Sequence, residues 1–143
     1  MFRENEIDIN VLLIELSKRN VNYCNGTAYI MPESSKAGVD LLNEHAPDLR
    51  KDFKDMGINS IVVKGEQHNY LGLRSADIIL PLIFGIPFAV FANFITKWID
   101  SYLEKSKVLK VRYIKQEGDK YTEIVMEGTG DDIKKTLDSL KEH

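Results

Sequence analysis

One stretch of the chain gathers titratable and polar side chains that could transfer a proton. These residues are Glu66, His68, Tyr70 and Arg74. The stretch has no hydrophobic period, which predicts a loop, and loops carry a large share of catalytic groups. His68 could act as a general base, since an imidazole exchanges its proton near neutral pH. Because no nucleophile accompanies it, we favour an exposed histidine in a candidate functional loop.

A second group of residues has the spacing of a metal site. Asp40 and Glu44 are four residues apart and His45 follows, so a helix would bring two carboxylates and an imidazole together. Such groups can bind a divalent ion. Since no second cluster at ligand spacing joins them, a solvated helix face is the simpler interpretation. We therefore predict no metal and no cofactor.

The sequence has one cysteine and none of the motifs that activate a nucleophile. No histidine lies near Cys24 in the sequence, and such a residue is usually a buried structural cysteine. The Ser-x-x-Lys, Gly-x-Ser-x-Gly, phosphate-loop and Cys-x-x-Cys patterns are all absent from the sequence. We therefore predict no catalytic residues, which favours a protein that is not an enzyme.

Five basic residues without an intervening acid follow the longest apolar segment. They are Lys105, Lys107, Lys110, Arg112 and Lys115. On a strand, Lys110 and Arg112 would share a face that could bind an acidic protein, phosphate groups or lipid. We take the last four of these residues as candidate partner-binding residues, although lysines on an edge strand more often only prevent aggregation. The net charge of −3 argues against a dedicated nucleic-acid-binding protein.

Short-range patterns predict the elements around these residues. The predicted helices open at Asp8 or Asn10, at Ser34 or Ser35, after Pro47, at Pro87 and at the capping pair Thr129 and Asp132. The predicted strands are hairpins around Asn25-Gly26 and Glu117-Gly118-Asp119, and short strands at 60–64 and 78–84. The fold class is therefore α+β (mixed α/β): one domain, 1–143, whose small sheet has two β-hairpins and about four covering helices.

Eighteen consecutive residues without a charge, 78–95, are long enough to suggest a membrane span. However, Pro81 and Pro87 interrupt the first half of the run. Over 87–105 the pattern is amphipathic, with one apolar face and one polar stripe, as in a helix that lies on a sheet. We favour the core helix, and the alternative is a membrane-anchored protein with Ile78–Trp98 inserted.

The amphipathic helix has two sides of opposite character. Its predicted apolar face consists of Phe88, Phe91, Ile95, Trp98, Ile99 and Tyr102.

The lone cysteine and an N-terminal segment unlike a signal peptide favour the cytoplasm, with a membrane-associated protein as the alternative. Any surplus apolar surface would bind a protein partner or a second copy of the chain.

Four segments of the chain follow one another in an order that is known from a protein family. They are SIVVKGEQHNYLGLRSAD, FAVFANFITKWIDSYL, VLKVRYIKQEGDKYTEIVMEG and DDIKKTLDSL. From Leu49 to Leu140 this order resembles the effector-associated constant component domains of bacterial conflict systems, although the apolar helix is bulkier here. The resemblance implies a non-catalytic adaptor of a bacterial defence system, and it implies no catalytic residues.

Overall fold

The structure, a computed structural model, describes residues 1–72 and 77–141 of the chain. Its helices are α1 (Ile9–Lys18), α2 (Ala46–Asp55), α3 (Phe88–Tyr102) and α4 (Gly130–Lys141). Its strands are β1 (Phe2–Ile7), β2 (Ala28–Ile30), β3 (Ser34–Lys36), β4 (Val39–Asn43), β5 (Ser60–Val62), β6 (His68–Leu71), β7 (Ile78–Ile79), β8 (Ile83–Phe84), β9 (Leu109–Glu117) and β10 (Lys120–Gly128). Within these residues, the four helices and mixed sheets confirm the predicted α+β class.

The main sheet contains seven of the described strands, in the order β1-β10-β9-β8-β2-β5, with β7 also beside β9. The β9–β10 hairpin is antiparallel from Glu117 opposite Lys120 to Leu109 opposite Gly128, which confirms the predicted second hairpin. β9 lies inside the sheet and not at its edge. The interpretation that its lysines prevent aggregation at an edge strand is therefore wrong. Sequence patterns do not predict β1, because nearly all of its residues are exposed and it lacks apolar alternation.

The apolar run divides between short strands and a helix, as predicted. β7 and β8 lie on either side of Pro81, and both pair in parallel with β9. Pro87 is the N-cap of α3, whose buried residues are Phe91, Ala92, Phe94, Ile95, Trp98 and Ile99. Phe94 therefore belongs to the core face, whereas Tyr102, which was predicted there, is 61% exposed. No helix among the described residues combines the length and the apolar character that a membrane span requires.

The main sheet is covered on both faces. On one face, α2, α3 and α4 contribute Phe53, Phe94 and Leu137 to the larger apolar cluster. Phe53 and Phe94 stack with their ring centroids 3.9 Å apart, which joins α2 to α3. On the other face, Leu16 of α1 belongs to a smaller cluster with Ile114 of β9. We call these two sides of the sheet the α3 face and the α1 face.

A small second sheet stands where a helix from Ser34 is predicted. β3 and β4 form an antiparallel hairpin, and β6 pairs in parallel with β4. The hairpin turns at Ala37 and Gly38, whose φ angles are 53° and 79°. Two consecutive positive φ angles are typical of a type I′ hairpin turn. The predicted helix is therefore wrong, and the predicted loop is wrong over His68–Leu71, where β6 forms.

The Asn25-Gly26 turn forms without the predicted hairpin. The amide of Thr27 donates to the carbonyl of Cys24 at 3.2 Å, and Gly26 has a φ angle of 96°. The segment before the turn wraps around the Tyr29 hydroxyl, which accepts a hydrogen bond from the Cys24 amide at 2.6 Å. β2 instead pairs with β5 and β8. Cys24 is exposed, so its predicted burial is also wrong.

The predicted capping residues of α1 and α4 are confirmed, unlike those at Ser34 and Ser35. Asp8 Oδ1 accepts a hydrogen bond from the Asn10 amide at 2.9 Å, where α1 begins. At the start of α4, Asp132 Oδ2 accepts from the Thr129 amide at 3.2 Å and Thr129 Oγ1 accepts from the Asp132 amide at 3.3 Å. This reciprocal pair is a capping box. Gly57, with a φ angle of 74°, follows the end of α2, a position where glycine often ends a helix.

Candidate interaction surface

Strand β5 is one edge of the main sheet, and its outer side has no strand partner within the described part of the chain. On its inner side, the amide of Val63, directly after β5, donates to the carbonyl of Ile30 in β2 at 2.9 Å. Backbone groups alternate in direction along a strand, so the N–H and C=O groups of Ser60 and Val62 point to the outer side. An extended segment could therefore pair with β5 there.

A groove of about 800 Å³ lies between the outer side of β5 and α2, and we call it the β5 groove. It is lined by Pro47, Arg50, Lys51, Lys54, Ile58, Asn59, Ser60, Ile61, Val62, Lys64 and Tyr70. The lining residues include four cations and, among those the structure describes, no carboxylate. Such a concentration of positive charge attracts acidic ligands.

The cations of the β5 groove are available to a ligand. Arg50, Lys54 and Lys64 are exposed, and none of them forms an ion pair with another described residue. Arg50 and Lys54 are four residues apart on α2, so they project from the same side of that helix. Two neighbouring guanidinium and ammonium groups without carboxylate partners suit the binding of carboxylate or phosphate groups.

Two large apolar side chains line the β5 groove beside these cations. Ile61 of β5 is 38% exposed, and Tyr70 of β6 is 50% exposed. A tyrosine offers a large rigid surface at low entropic cost, and exposed apolar groups beside polar ones are typical of binding sites. The groove therefore offers unpaired backbone groups, positive charges and apolar side chains to one ligand.

The structure separates the residues of the predicted functional loop. Tyr70 lines the β5 groove, whereas Glu66 and His68 line a second hollow on the other side of Lys64. The Nδ1 atom of His68 lies within hydrogen-bond distance, 3.0 Å, of the Gly65 carbonyl oxygen. The rings of His68 and Tyr70 meet edge to face with their centroids 6.2 Å apart. Arg74, the fourth predicted residue, lies outside the described residues.

The second hollow contains a saturated ion-pair network around Asp40. The Arg19 guanidinium donates to Asp40 Oδ2 through Nε at 2.7 Å and to Oδ1 through Nη2 at 2.8 Å. The Gly65 amide donates to Oδ2 at 2.7 Å, and the Ser35 hydroxyl donates to Oδ1. The hydrogen bonds from Arg19, aided by those from Ser35 and Gly65, hold the pKa of Asp40 well below its usual range. Asp40 is therefore ionised at neutral pH and links the end of α1 to the small sheet.

The helix that would bring Asp40, Glu44 and His45 together as a metal site does not form. Asp40 lies in β4, and its carboxylate is bound to Arg19. Glu44 and His45 lie in the turn before α2, where His45 Nε2 is 3.6 Å from Glu44 Oε1. Among the described residues, no group of three histidine, cysteine, aspartate or glutamate side chains has the arrangement of a metal site.

The cations of the predicted basic strand are engaged within the protein. Arg112 donates through Nη2 to both carboxylate oxygens of Glu33, at 2.6 and 2.7 Å. Lys115 lies 2.7 Å from a carboxylate oxygen of Glu117 and 5.1 Å from the centre of the Phe88 ring. Opposite charges and a cation–π contact therefore already satisfy these two cations.

The predicted basic residues also do not form one surface. Side chains alternate along a strand, so Lys110 and Arg112 lie on the α1 face while Lys115 lies on the α3 face. Lys107 lies in the loop between α3 and β9 and, like Lys110, is half-buried. The structure instead groups four other cations around one groove, on α2 and just after β5.

The opposite flank of α2 is acidic. Asp48, Asp52 and Asp55 line a groove of about 460 Å³ together with Trp98 and Tyr102 of α3. The Tyr102 hydroxyl donates to Asp52 Oδ1 at 3.1 Å, and burial raises the pKa of Asp52. α2 therefore separates a basic groove from an acidic one.

The cations of the β5 groove are not predictable from the sequence as one site, because they come from separate elements. Arg50 and Lys54 share a helix face, which the spacing of four residues indicates. Lys64 and Tyr70 lie beside the same face only because β2 pairs with β5 and β4 pairs with β6. No local pattern carries that information.

Comparisons with family models, with curated proteins and with solved structures each found no match to this chain.

Proposed function

We propose that the protein is a non-enzymatic interaction module, an adaptor, which binds an acidic, extended segment of a protein partner in the β5 groove. The single observation that carries this proposal is the unpaired outer side of β5 beside exposed cations that have no ion-pair partner among the described residues. The resemblance to adaptor domains of bacterial conflict systems supports the same function and makes a defence assembly the proposed setting.

Each part of the groove has a role in this binding. The outward N–H and C=O groups of Ser60 and Val62 would bond to the backbone of the segment, as in strand addition to other sheets. Arg50 and Lys54 would bind acidic side chains on the α3 face of the added strand. Ile61 and Tyr70 would contact its apolar side chains. An alternation of acidic and apolar residues is therefore the expected ligand pattern.

The proposal can be tested with the full-length protein and synthetic peptides that alternate glutamate and valine. We expect the acidic peptide to bind in calorimetry and to shift the NMR signals of β5, while a lysine–valine peptide does not bind. The variant R50E/K54E should bind the acidic peptide about tenfold more weakly, since reversing two exposed charges costs about 1.4 kcal/mol.

A matched control carries the same change of net charge elsewhere. K97E/K135E reverses two exposed lysines on α3 and α4, outside the groove, and should bind like the unmodified protein. The proposal fails if the acidic peptide does not bind, or if both double variants lose affinity equally.

A further inference from the structure

We infer that a second copy of this chain occupies the β5 groove, with the outer side of its β1 added to β5, so that copies join head to tail. The inference rests on the proposed function, because it names the acidic extended segment that the groove would bind. β1 and β5 are the two opposite edges of the same main sheet. Their backbones, faces, directions and charges each fit this pairing.

The outer side of β1 presents free backbone groups. Met1 and Glu127 exchange both backbone hydrogen bonds: the Met1 nitrogen donates to the Glu127 carbonyl at 2.6 Å, and the Glu127 amide donates to the Met1 carbonyl at 2.8 Å. In an antiparallel ladder such pairs alternate with pairs whose groups point outward. The N–H and C=O groups of Phe2, Glu4 and Glu6 therefore point away from β10.

The outward-pointing residues of both edges place their side chains on the same face. Glu4 lies opposite Ile124 in the β1–β10 pairing, and Ile124 belongs to the apolar cluster on the α3 face. At the other edge, Val62 packs against the same cluster. Residues directly opposite each other in a sheet share a face, so Glu4 and Glu6 of one copy can face Ser60 and Val62 of another. The α3 faces of the two copies are then continuous.

The strand directions also fit without turning a copy over. β1 is antiparallel to β10, and β10 is antiparallel to β9. β8 is parallel to β9, β2 is antiparallel to β8, and β5 is parallel to β2. β1 and β5 therefore run in opposite directions, so two copies related by a shift across the sheet pair them antiparallel. Such an interface is heterologous and can continue beyond two copies.

The charges select this pairing over the alternatives. Glu4 and Glu6 are exposed and have no ion pair with any described residue, and in the joined sheet they lie on the face that carries α2. There they meet Arg50 and Lys54 of the β5 groove. Pairing β1 with β1 would instead bring like charges together, which destabilises a sheet. Because β5 has only three residues, the assembly is expected to be weak and to depend on concentration.

Sedimentation of the full-length protein from micromolar to millimolar concentration tests the inference. We expect species larger than a dimer at high concentration. E4K/E6K and R50E/K54E should each weaken the association about tenfold, since each places like charges across the interface. An equimolar mixture of the two variants should associate again, because each reversed edge then meets its complement. A variant that merely failed to fold would not recover in the mixture.

A control variant should leave the association unchanged, and three outcomes would contradict the inference. E104K/D138K reverses two exposed acids outside both β1 and the β5 groove and should associate like the unmodified protein. The inference is overturned if the protein stays monomeric, stops at dimers, or associates unchanged as E4K/E6K. A protein that stays monomeric but binds the glutamate–valine peptide overturns the inference and leaves the proposed function standing. Charge-swap association without binding of the peptide supports the inference and overturns the binding of a different protein partner in the β5 groove.

Discussion

Asp40 and Arg19 form an ion pair that joins the end of α1 to the small sheet. Each of the two side chains is only 8% exposed. Burying such a pair does not by itself guarantee stability, since desolvation offsets the attraction between the charges. Removing one partner is costly, however, because the other charge remains buried and unpaired. The pair therefore constrains which residues can occupy position 40.

We predict that Asp40→Asn lowers the free energy of unfolding by about 3 kcal/mol at neutral pH, because the Arg19 charge loses its partner. Chemical denaturation at pH 7 measures this change. Asp138→Asn is the matched control: Asp138 is exposed and lies 4.0 Å from Lys141. That variant should remain within about 0.5 kcal/mol of the unmodified protein.

The pH dependence separates the charge of Asp40 from its shape. Because the pKa of Asp40 is lowered on folding, its stabilisation is present above the ordinary aspartate pKa of about 4 and is lost as pH falls through the lowered value. The stability difference between the unmodified protein and Asp40→Asn should therefore shrink in acid. A difference that stays constant from neutral to acidic pH would contradict the role of the ion pair.

At the scale of elements, local patterns predict the start of α3 and the β9–β10 hairpin correctly, although α3 ends at Tyr102 and not at 105. Helical periodicity and a two-residue turn are both encoded by residues close in sequence. The α3 boundary follows from Pro87, and the hairpin turn follows from Gly118, whose φ angle is 61°. Nothing distant has to be known for either prediction.

The β3–β4 hairpin escapes prediction because its sequence also fits a helix. Val39, Leu42 and Ala46 have helical spacing, but β4 uses Leu42 as a buried strand residue. The turn at Ala37 has a φ angle of 53° in a non-glycine residue, which no sequence pattern signals. The β5 groove is not predicted either, because β5 pairs with β2, which lies far from it in the sequence.

For α3, we predict that Phe94→Ala lowers the free energy of unfolding by about 3 to 5 kcal/mol, because Phe94 stacks on Phe53 in the core. Asn93→Ala, on the adjacent exposed position, should change it by less than about 0.5 kcal/mol. Thermal and chemical denaturation measure both values. Equal effects of the two substitutions would mean that α3 does not rest one face on the sheet.

At the scale of the whole molecule, polar contacts hold the small sheet to the rest. Neither apolar cluster includes a described residue of β3, β4 or β6. Instead, Asn43 Nδ2 donates to the Ile79 carbonyl at 2.8 Å and to Glu33 Oε1 at 2.9 Å, and Glu33 is paired with Arg112. Since Tyr70 of the β5 groove lies on β6, the position of the small sheet also shapes that groove.

Regions with few apolar contacts open more readily than the core, so we predict that the small sheet exchanges its amide hydrogens before β9 and β10 do. Glu33→Gln removes the charge that faces Arg112 and should speed exchange in β3, β4 and β6 about tenfold, which corresponds to about 1.4 kcal/mol. Exchange in β9 and β10 should not change.

Glu117→Gln, which removes the exposed partner of Lys115, serves as the control and should leave the small sheet unaffected. Hydrogen-exchange mass spectrometry distinguishes these outcomes. If Glu33→Gln accelerates both sheets equally, they form one cooperative unit and the small sheet does not open separately.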